Sequence, residues 1–172
     1  MTVHPFAPVF REDARVLILG SFPSVRSRRE GFYYGHPRNR FWPLMAALFS
    51  RPVPVTAAEK TALLTSCGVA LWDSAMRCDV TGSADSSLRN AVPNDVASLL
   101  RRAPIRRIFA NGRTAGALYD RLILPATGVP ITVLPSTSPA NAAVSFDGLL
   151  AAWRAVADAC AADPQKETPI RD

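Results

Sequence analysis

Apolar residues along this chain gather in short unbroken blocks, each closed by a residue that turns the backbone. Val16-Leu17-Ile18-Leu19 ends at Gly20, and Gly68-Val69-Ala70-Leu71-Trp72 ends at Asp73. Arg107-Ile108-Phe109-Ala110 ends at Asn111, and Ile131-Thr132-Val133-Leu134 ends at Pro135. Continuous apolar runs of this length, without polar alternation, predict strands buried on both faces. Helical spacing fills the intervals: Phe41 to Phe49, Ala57 to Ser66, Asp95 to Arg102, Arg113 to Leu122, and Phe146 to about Ala161. Strands alternating with helices predict an α/β fold, a three-layer α/β/α sandwich around a central, mainly parallel, four-stranded sheet. A chain of 172 residues can bury one core without staples. Residues 1–163 are therefore read as a single domain and 164–172 as a polar, disordered tail.

Local signals support this register. Thr56 with Glu59 forms a capping-box pattern, and Asn94-Asp95 opens the helix that ends at Arg101-Arg102. The connection from Ser21 to Asn39 has no predicted element and is long for a compact domain, which points to binding. It interleaves Arg26, Arg28, Arg29, Arg38 and Arg40 with Phe32, Tyr33 and Tyr34. Arginine and aromatic side chains together suit a surface that grips phosphates and stacks a base.

Charge strengthens that picture only in part. The formal net charge is +6, carried almost wholly by arginine, with Lys60 and Lys166 the only lysines. The planar guanidinium fork suits phosphate, so a nucleic-acid partner is compatible, although arginine-favouring base composition would give the same balance. Cys67, Cys78 and Cys160 are three in number, show no Cys-x-x-Cys spacing, and share the chain with two histidines. That argues against a zinc site or a disulfide framework. Met1 to Val16 lacks a basic stretch leading into an apolar core, and no run is long enough to span a bilayer. The expectation is a soluble protein of the cytoplasm.

The ligand crevice of an open α/β sheet lies outside the carboxyl ends of its strands. Two segments follow predicted strands there: Gly20-Ser21-Phe22-Pro23, leading into Tyr33-Tyr34-Gly35-His36-Pro37-Arg38-Asn39-Arg40-Phe41-Trp42, and Leu134-Pro135-Ser136-Thr137-Ser138-Pro139. In residues and order, from about Val16 to about Leu150, they resemble the uracil-DNA glycosylase superfamily, and within it the hypoxanthine (deoxyinosine) glycosylase branch. The resemblance implies a monofunctional enzyme that flips a deaminated base out of DNA and hydrolyses its N-glycosidic bond, leaving an abasic site. It implies DNA as partner and no metal or other cofactor; a monomer is expected. Some branches of the superfamily hold an iron–sulfur cluster on four cysteines, which this chain's three cannot supply unaided. No lysine lies in either motif, so Schiff-base chemistry is not expected.

The superfamily places a catalytic Asp or Asn at the third position of the first loop, where this chain has Phe22. The hypoxanthine branch instead uses the Asn of its Tyr-Tyr-x-His-Pro-Arg-Asn-x-Phe-Trp segment, which falls on Asn39. An amide has no usable basicity, but it can accept one hydrogen bond from a water and place it against a cation-like sugar. Asn39 is equally well sited to cap the following helix. Hydroxyls of Ser136 and Ser138, with Thr137 and the backbone amides of Gly20, Ser21 and Phe22, could stabilise the departing base; Pro135 to Pro139 also reads as a turn and cap.

Asp73 stands where uracil glycosylases carry a base-reading Asn. A carboxylate accepts from the N1–H of hypoxanthine but faces the lone pair of adenine N1. Its alternative is an N-cap for a helix after Trp72. Phe22, Tyr33 and Tyr34 are candidates for stacking on the base, or for the core. His36 would orient its loop. Pro23, Arg38, Arg40, Thr137 and Asn111 are candidate DNA contacts, with Asn111-Gly112 opening a helix whose amides could hold phosphate. Asn141 follows the second motif, where relatives insert a wedge, and its short side chain suits that poorly. Two other readings remain: a glycosylase for uracil or a mismatched pyrimidine, and a non-catalytic module binding nucleotides or nucleic acid.

Overall fold

In the computed structural model, which describes residues 1–81 and 88–162, four parallel strands form the centre of the molecule. They are β2 (Val16–Gly20), β3 (Val69–Asp73), β6 (Arg107–Asn111) and β7 (Thr132–Leu134), in the order β3-β2-β6-β7. Their registers bring the carboxyl ends level: Gly20 lies beside Asp73, Leu19 beside Ala110, and Asn111 beside Leu134. The chain goes from β2 outward to β3, then crosses back to β6 on the other side of β2. The strand order therefore reverses at β2, and a crevice opens there above the carboxyl ends.

Successive residues of a strand point to opposite faces, and β2 shows why both faces are covered. Val16 and Ile18 join Val69, Leu71 and Phe109 against helices α2 (Phe41–Leu48), α3 (Ala57–Ser66) and α7 (Phe146–Ala161), with Phe41, Met45, Leu64 and Trp153 buried between. Leu17 and Leu19 face the other way, toward α4 (Val96–Arg102), α5 (Arg113–Leu122) and α6 (Leu124–Thr127), where Leu99, Leu100, Tyr119 and Ile123 fill the space. Each such fully buried aliphatic side chain contributes about 1.5–3 kcal/mol of burial free energy. The expected three-layer sandwich is present, as are both predicted caps. Thr56 and Glu59 form a reciprocal capping box, and Asp95 accepts from Ser98 N–H at 3.0 Å.

Two features depart from the sequence expectations. The connection from Ser21 to Asn39 is not wholly irregular, because it contains α1 (Val25–Glu30). Ser24 caps that helix by accepting from Ser27 N–H at 3.1 Å, and Gly31 ends it at φ 77°, a left-handed turn that glycine adopts without strain. No helix follows Trp72. The chain runs instead into β4 (Ala75–Asp79), which pairs antiparallel with β1 (Thr2–Val3) and β5 (Arg89–Pro93) in a second, small sheet. The reading of Asp73 as a helix cap is therefore wrong. The expected tail, 164–172, lies outside the described residues. No helix among the described residues is long and apolar enough to cross a membrane.

Candidate active site at the switch point

All four parallel strands deliver a residue or a loop to one cleft of about 810 Å³. Its lining includes Gly20, Ser21, Phe22 and Pro23 after β2, Asp73 at the end of β3, Asn111 at the end of β6, and Ser136, Thr137 and Ser138 after β7, with Tyr34 and Asn39 from the long connection. Arg28, Arg29, Phe32, Arg38 and Arg40, all singled out in the sequence, are absent from this lining. Arg38 is exposed elsewhere. The Arg40 guanidinium donates to the carbonyls of Val144 and Asn141, tying the 141–144 loop to the start of α2. The arginines that do line the cleft are Arg26 and Arg113.

Asn39 sits where the two end loops meet. Its Oδ1 accepts from Phe41 N–H at 3.0 Å and from the Thr137 hydroxyl at 2.9 Å. The hydroxyl in turn accepts from Asn111 Nδ2 at 2.9 Å, while Asn111 Oδ1 accepts from Thr137 N–H at 2.9 Å. Each donor in this chain has one acceptor, so the orientation of both amides is determined by the network. Both lone pairs of Asn39 Oδ1 are engaged. What the amide leaves for the cleft is Nδ2, a donor, where the sequence reading expected an acceptor. The cap and the site are also not alternatives, because Asn39 supports the helix through its oxygen and is itself a lining residue of the cleft. Thr137 and Asn111 turn their side chains to this network, not to a DNA surface.

The second loop is stapled from several sides. Ser136 Oγ accepts from Ser138 N–H at 3.1 Å, and Ser138 Oγ accepts from Ala140 N–H at 3.2 Å. Asn141 Nδ2 donates to Ser136 O at 3.0 Å, so its side chain braces the loop instead of projecting as a wedge. Trp153 Nε1 donates to Pro135 O at 2.9 Å. On the first side, Trp42 Nε1 donates to Tyr33 O at 3.0 Å. Tyr34 stacks on Phe41 with centroids 4.2 Å apart and holds φ 54°, a conformation costly for an aromatic residue. Tyr33 belongs to the core and not to a stacking surface: it is buried, and its hydroxyl donates to Ala7 O at 2.9 Å. Burial, then the nearby Asp73 carboxylate, pushes its phenol far above the usual range. Phe22 is also largely buried, yet it contributes to the cleft wall. His36 lines the cleft too, with Nδ1 accepting from Arg38 N–H at 3.1 Å.

Asp73 forms part of the cleft floor, and its partner is a residue that the sequence reading passed over. His4 Nε2 lies 2.7 Å from Asp73 Oδ2, with the two side chains 2% and 5% exposed. Nothing local could have announced this contact across 69 positions. Gly20 makes the floor possible: a Cβ there would stand 2.2 Å from Asp73 Oδ1 and 2.9 Å from the Tyr34 hydroxyl. No group of three or more His, Cys, Asp or Glu side chains suited to a metal ion occurs among the described residues.

A sheet that reverses order above a cleft built from a Gly-x-x-Pro loop, an Asn-bearing segment and a Pro-Ser loop defines a base-excision architecture. The chain belongs to the uracil DNA glycosylase superfamily, whose family model matches residues 7–157. It is 38% identical over 138 residues to a hypoxanthine DNA glycosylase of Methanosarcina acetivorans, covering 79% of this chain and 86% of that protein. A hypoxanthine DNA glycosylase of Methanosarcina barkeri is 32% identical over the same proportions. A solution NMR structure from Methanosarcina acetivorans, provisionally described as a uracil DNA glycosylase, superposes with a TM-score of 0.73 at 34% identity, covering 88% of this chain and 96% of that one.

Proposed function

We infer that the protein is a monofunctional DNA glycosylase that extrudes deoxyinosine from DNA and hydrolyses its N-glycosidic bond, acting as a monomer in the cytoplasm. Membership of the superfamily and likeness to relatives named hypoxanthine DNA glycosylases support the activity. The observation that carries the mechanism is the clamped amide of Asn39, held by Phe41 N–H and the Thr137 hydroxyl. A water that accepts from Asn39 Nδ2 keeps its second lone pair for the anomeric carbon. It needs no strong base, because the bond to the purine lengthens first and the sugar is already oxocarbenium-like when the water attacks.

Negative charge grows on the leaving hypoxanthine as that bond lengthens, and the proton released by the attacking water ends on the departed base. The hydroxyls of Ser136 and Ser138 each have their oxygen anchored by a backbone N–H, which leaves the hydroxyl proton to donate to that charge. Tyr34, backed by Phe41, offers a stacking face to the flipped base. Asp73 accepts from the base N1–H. Arg26 and Arg113 provide cationic groups at the rim for the backbone phosphates.

The test is an end-labelled duplex carrying deoxyinosine, deoxyuridine or neither, treated with alkali after incubation. Breakage is expected at deoxyinosine. Asn39→Ala should reduce it by at least about 100-fold, as expected when a reacting water is misplaced, with affinity for DNA nearly intact. An Asn39→Ala protein with full activity would remove Asn39 from the mechanism, while breakage confined to deoxyuridine would reassign the substrate.

A further inference from the structure

The imidazole of His4 sits in a box of rings. Phe6, Phe22 and Tyr33 have centroids 5.5, 5.9 and 5.9 Å from it. Its Nδ1 accepts the backbone N–H of Phe6 at 3.1 Å, so no proton can occupy Nδ1. A neutral imidazole must then carry its hydrogen on Nε2, and that hydrogen points at Asp73 Oδ2, 2.7 Å away. One backbone N–H thus fixes the tautomer, and the tautomer fixes Asp73 as an acceptor at Oδ2. The other oxygen, Oδ1, lies over Gly20 at the cleft floor.

We propose that His4 is a positioning residue for substrate choice: it holds Asp73 as an oriented carboxylate, so that Oδ1 meets the purine N1 as an acceptor and admits hypoxanthine over adenine. This rests on the reading of Asp73 as the group facing the base. The physical reason is that a buried carboxylate keeps one orientation only while a donor holds one of its oxygens. Without the Nε2–H, Oδ2 loses the donor that holds it, the carboxylate is free to turn, and Oδ1 is no longer fixed against the purine N1. The acceptor that suits the N1–H of hypoxanthine and opposes the lone pair of adenine N1 is then misplaced. Buried groups left mispaired then act against the proper substrate.

Release of hypoxanthine and of adenine from otherwise identical duplexes measures the effect. His4→Phe fills the box but lacks the donor, and its hypoxanthine-to-adenine preference should fall by about 10- to 100-fold, the range of one mispaired buried group. His4→Gln, whose amide can donate to Oδ2, should recover most of that preference. Asp73→Asn, with a permanent donor, should lower the preference in the parent and change nothing further in His4→Phe, since the two act through one contact. A folded His4→Phe protein that discriminates as the parent does, while Asp73→Asn does not, overturns the role of His4 alone. Undiminished discrimination in Asp73→Asn overturns the reading of Asp73 itself. Nitrogen-15 NMR of the two histidines tests the premise without any substitution. The expected result is a proton on Nε2 of His4 and none on Nδ1, and the reverse tautomer would sink the proposal.

Discussion

Gly20 illustrates how one missing side chain shapes the cleft. Asp73 Oδ1 and the Tyr34 hydroxyl occupy the space that a Cβ would need, at 2.2 and 2.9 Å. Neither neighbour can give way easily: Asp73 is held by His4, and Tyr34 is stacked on Phe41 in a left-handed backbone conformation. Gly20→Ala should therefore displace the base-facing groups and cost about 1–3 kcal/mol of stability, the usual penalty of overpacking. A thermal melt together with hypoxanthine release from a deoxyinosine duplex checks this. A variant with the parent's melting point and full activity would show that the floor is softer than its contacts imply. Gly20 and Asp73 were both legible in the sequence because each closes an apolar run. His4 was not, since its partner comes from another strand and no spacing rule relates them.

Among the elements, the loop after β7 depends on its neighbours, and Arg40 is one of its ties. Its guanidinium holds the carbonyls of Asn141 and Val144, whereas a phosphate contact would leave it facing DNA. The two roles differ in salt dependence. Loss of one phosphate contact lowers the slope of log affinity against log salt by about 0.9, and loss of a structural tie does not. Arg40→Met should leave the slope unchanged while lowering the melting temperature and hypoxanthine release, and Arg113→Met should lower the slope. A reduced slope in Arg40→Met would restore the phosphate reading. The main strands and helices could be read from the chain because buried runs and helical periodicity repeat the physics of burial. The strand Ala75–Asp79 escaped notice because it lies in a small second sheet, with Met76 and Arg77 exposed. Helix Val25–Glu30 escaped because Val-Arg-Ser-Arg-Arg-Glu has no apolar stripe, although Ser24 and Gly31 mark both its ends.

For the whole molecule, packing helices on both faces of the sheet encloses several weak acids whose charged forms the fold disfavours. Burial pushes the Cys160 thiol from 9.0 up to about 11. It also raises the phenols of Tyr33 and Tyr119 above their ordinary value of 10.0. The sign follows from proton counting. Below pH 9 these groups hold their protons in both folded and unfolded chains, so their contribution to stability is fully present. As pH rises from about 9 to 11, the unfolded chain releases the Cys160 proton first and the phenolic protons next, while the folded chain retains them. The unfolded state is then favoured, and stability falls with rising pH. Urea midpoints measured from pH 7 to 11 should be flat at first with respect to these groups and then decline beyond about pH 9. Cys160→Ala should lower the whole curve by removing a packed side chain and should also make the decline shallower, because one of the linked protons is gone. A decline of unchanged steepness in that variant would place the alkaline sensitivity in the phenols. A midpoint that stayed constant to pH 11 would mean that the interior opens to water more readily than the packing around Trp153 and Tyr33 allows.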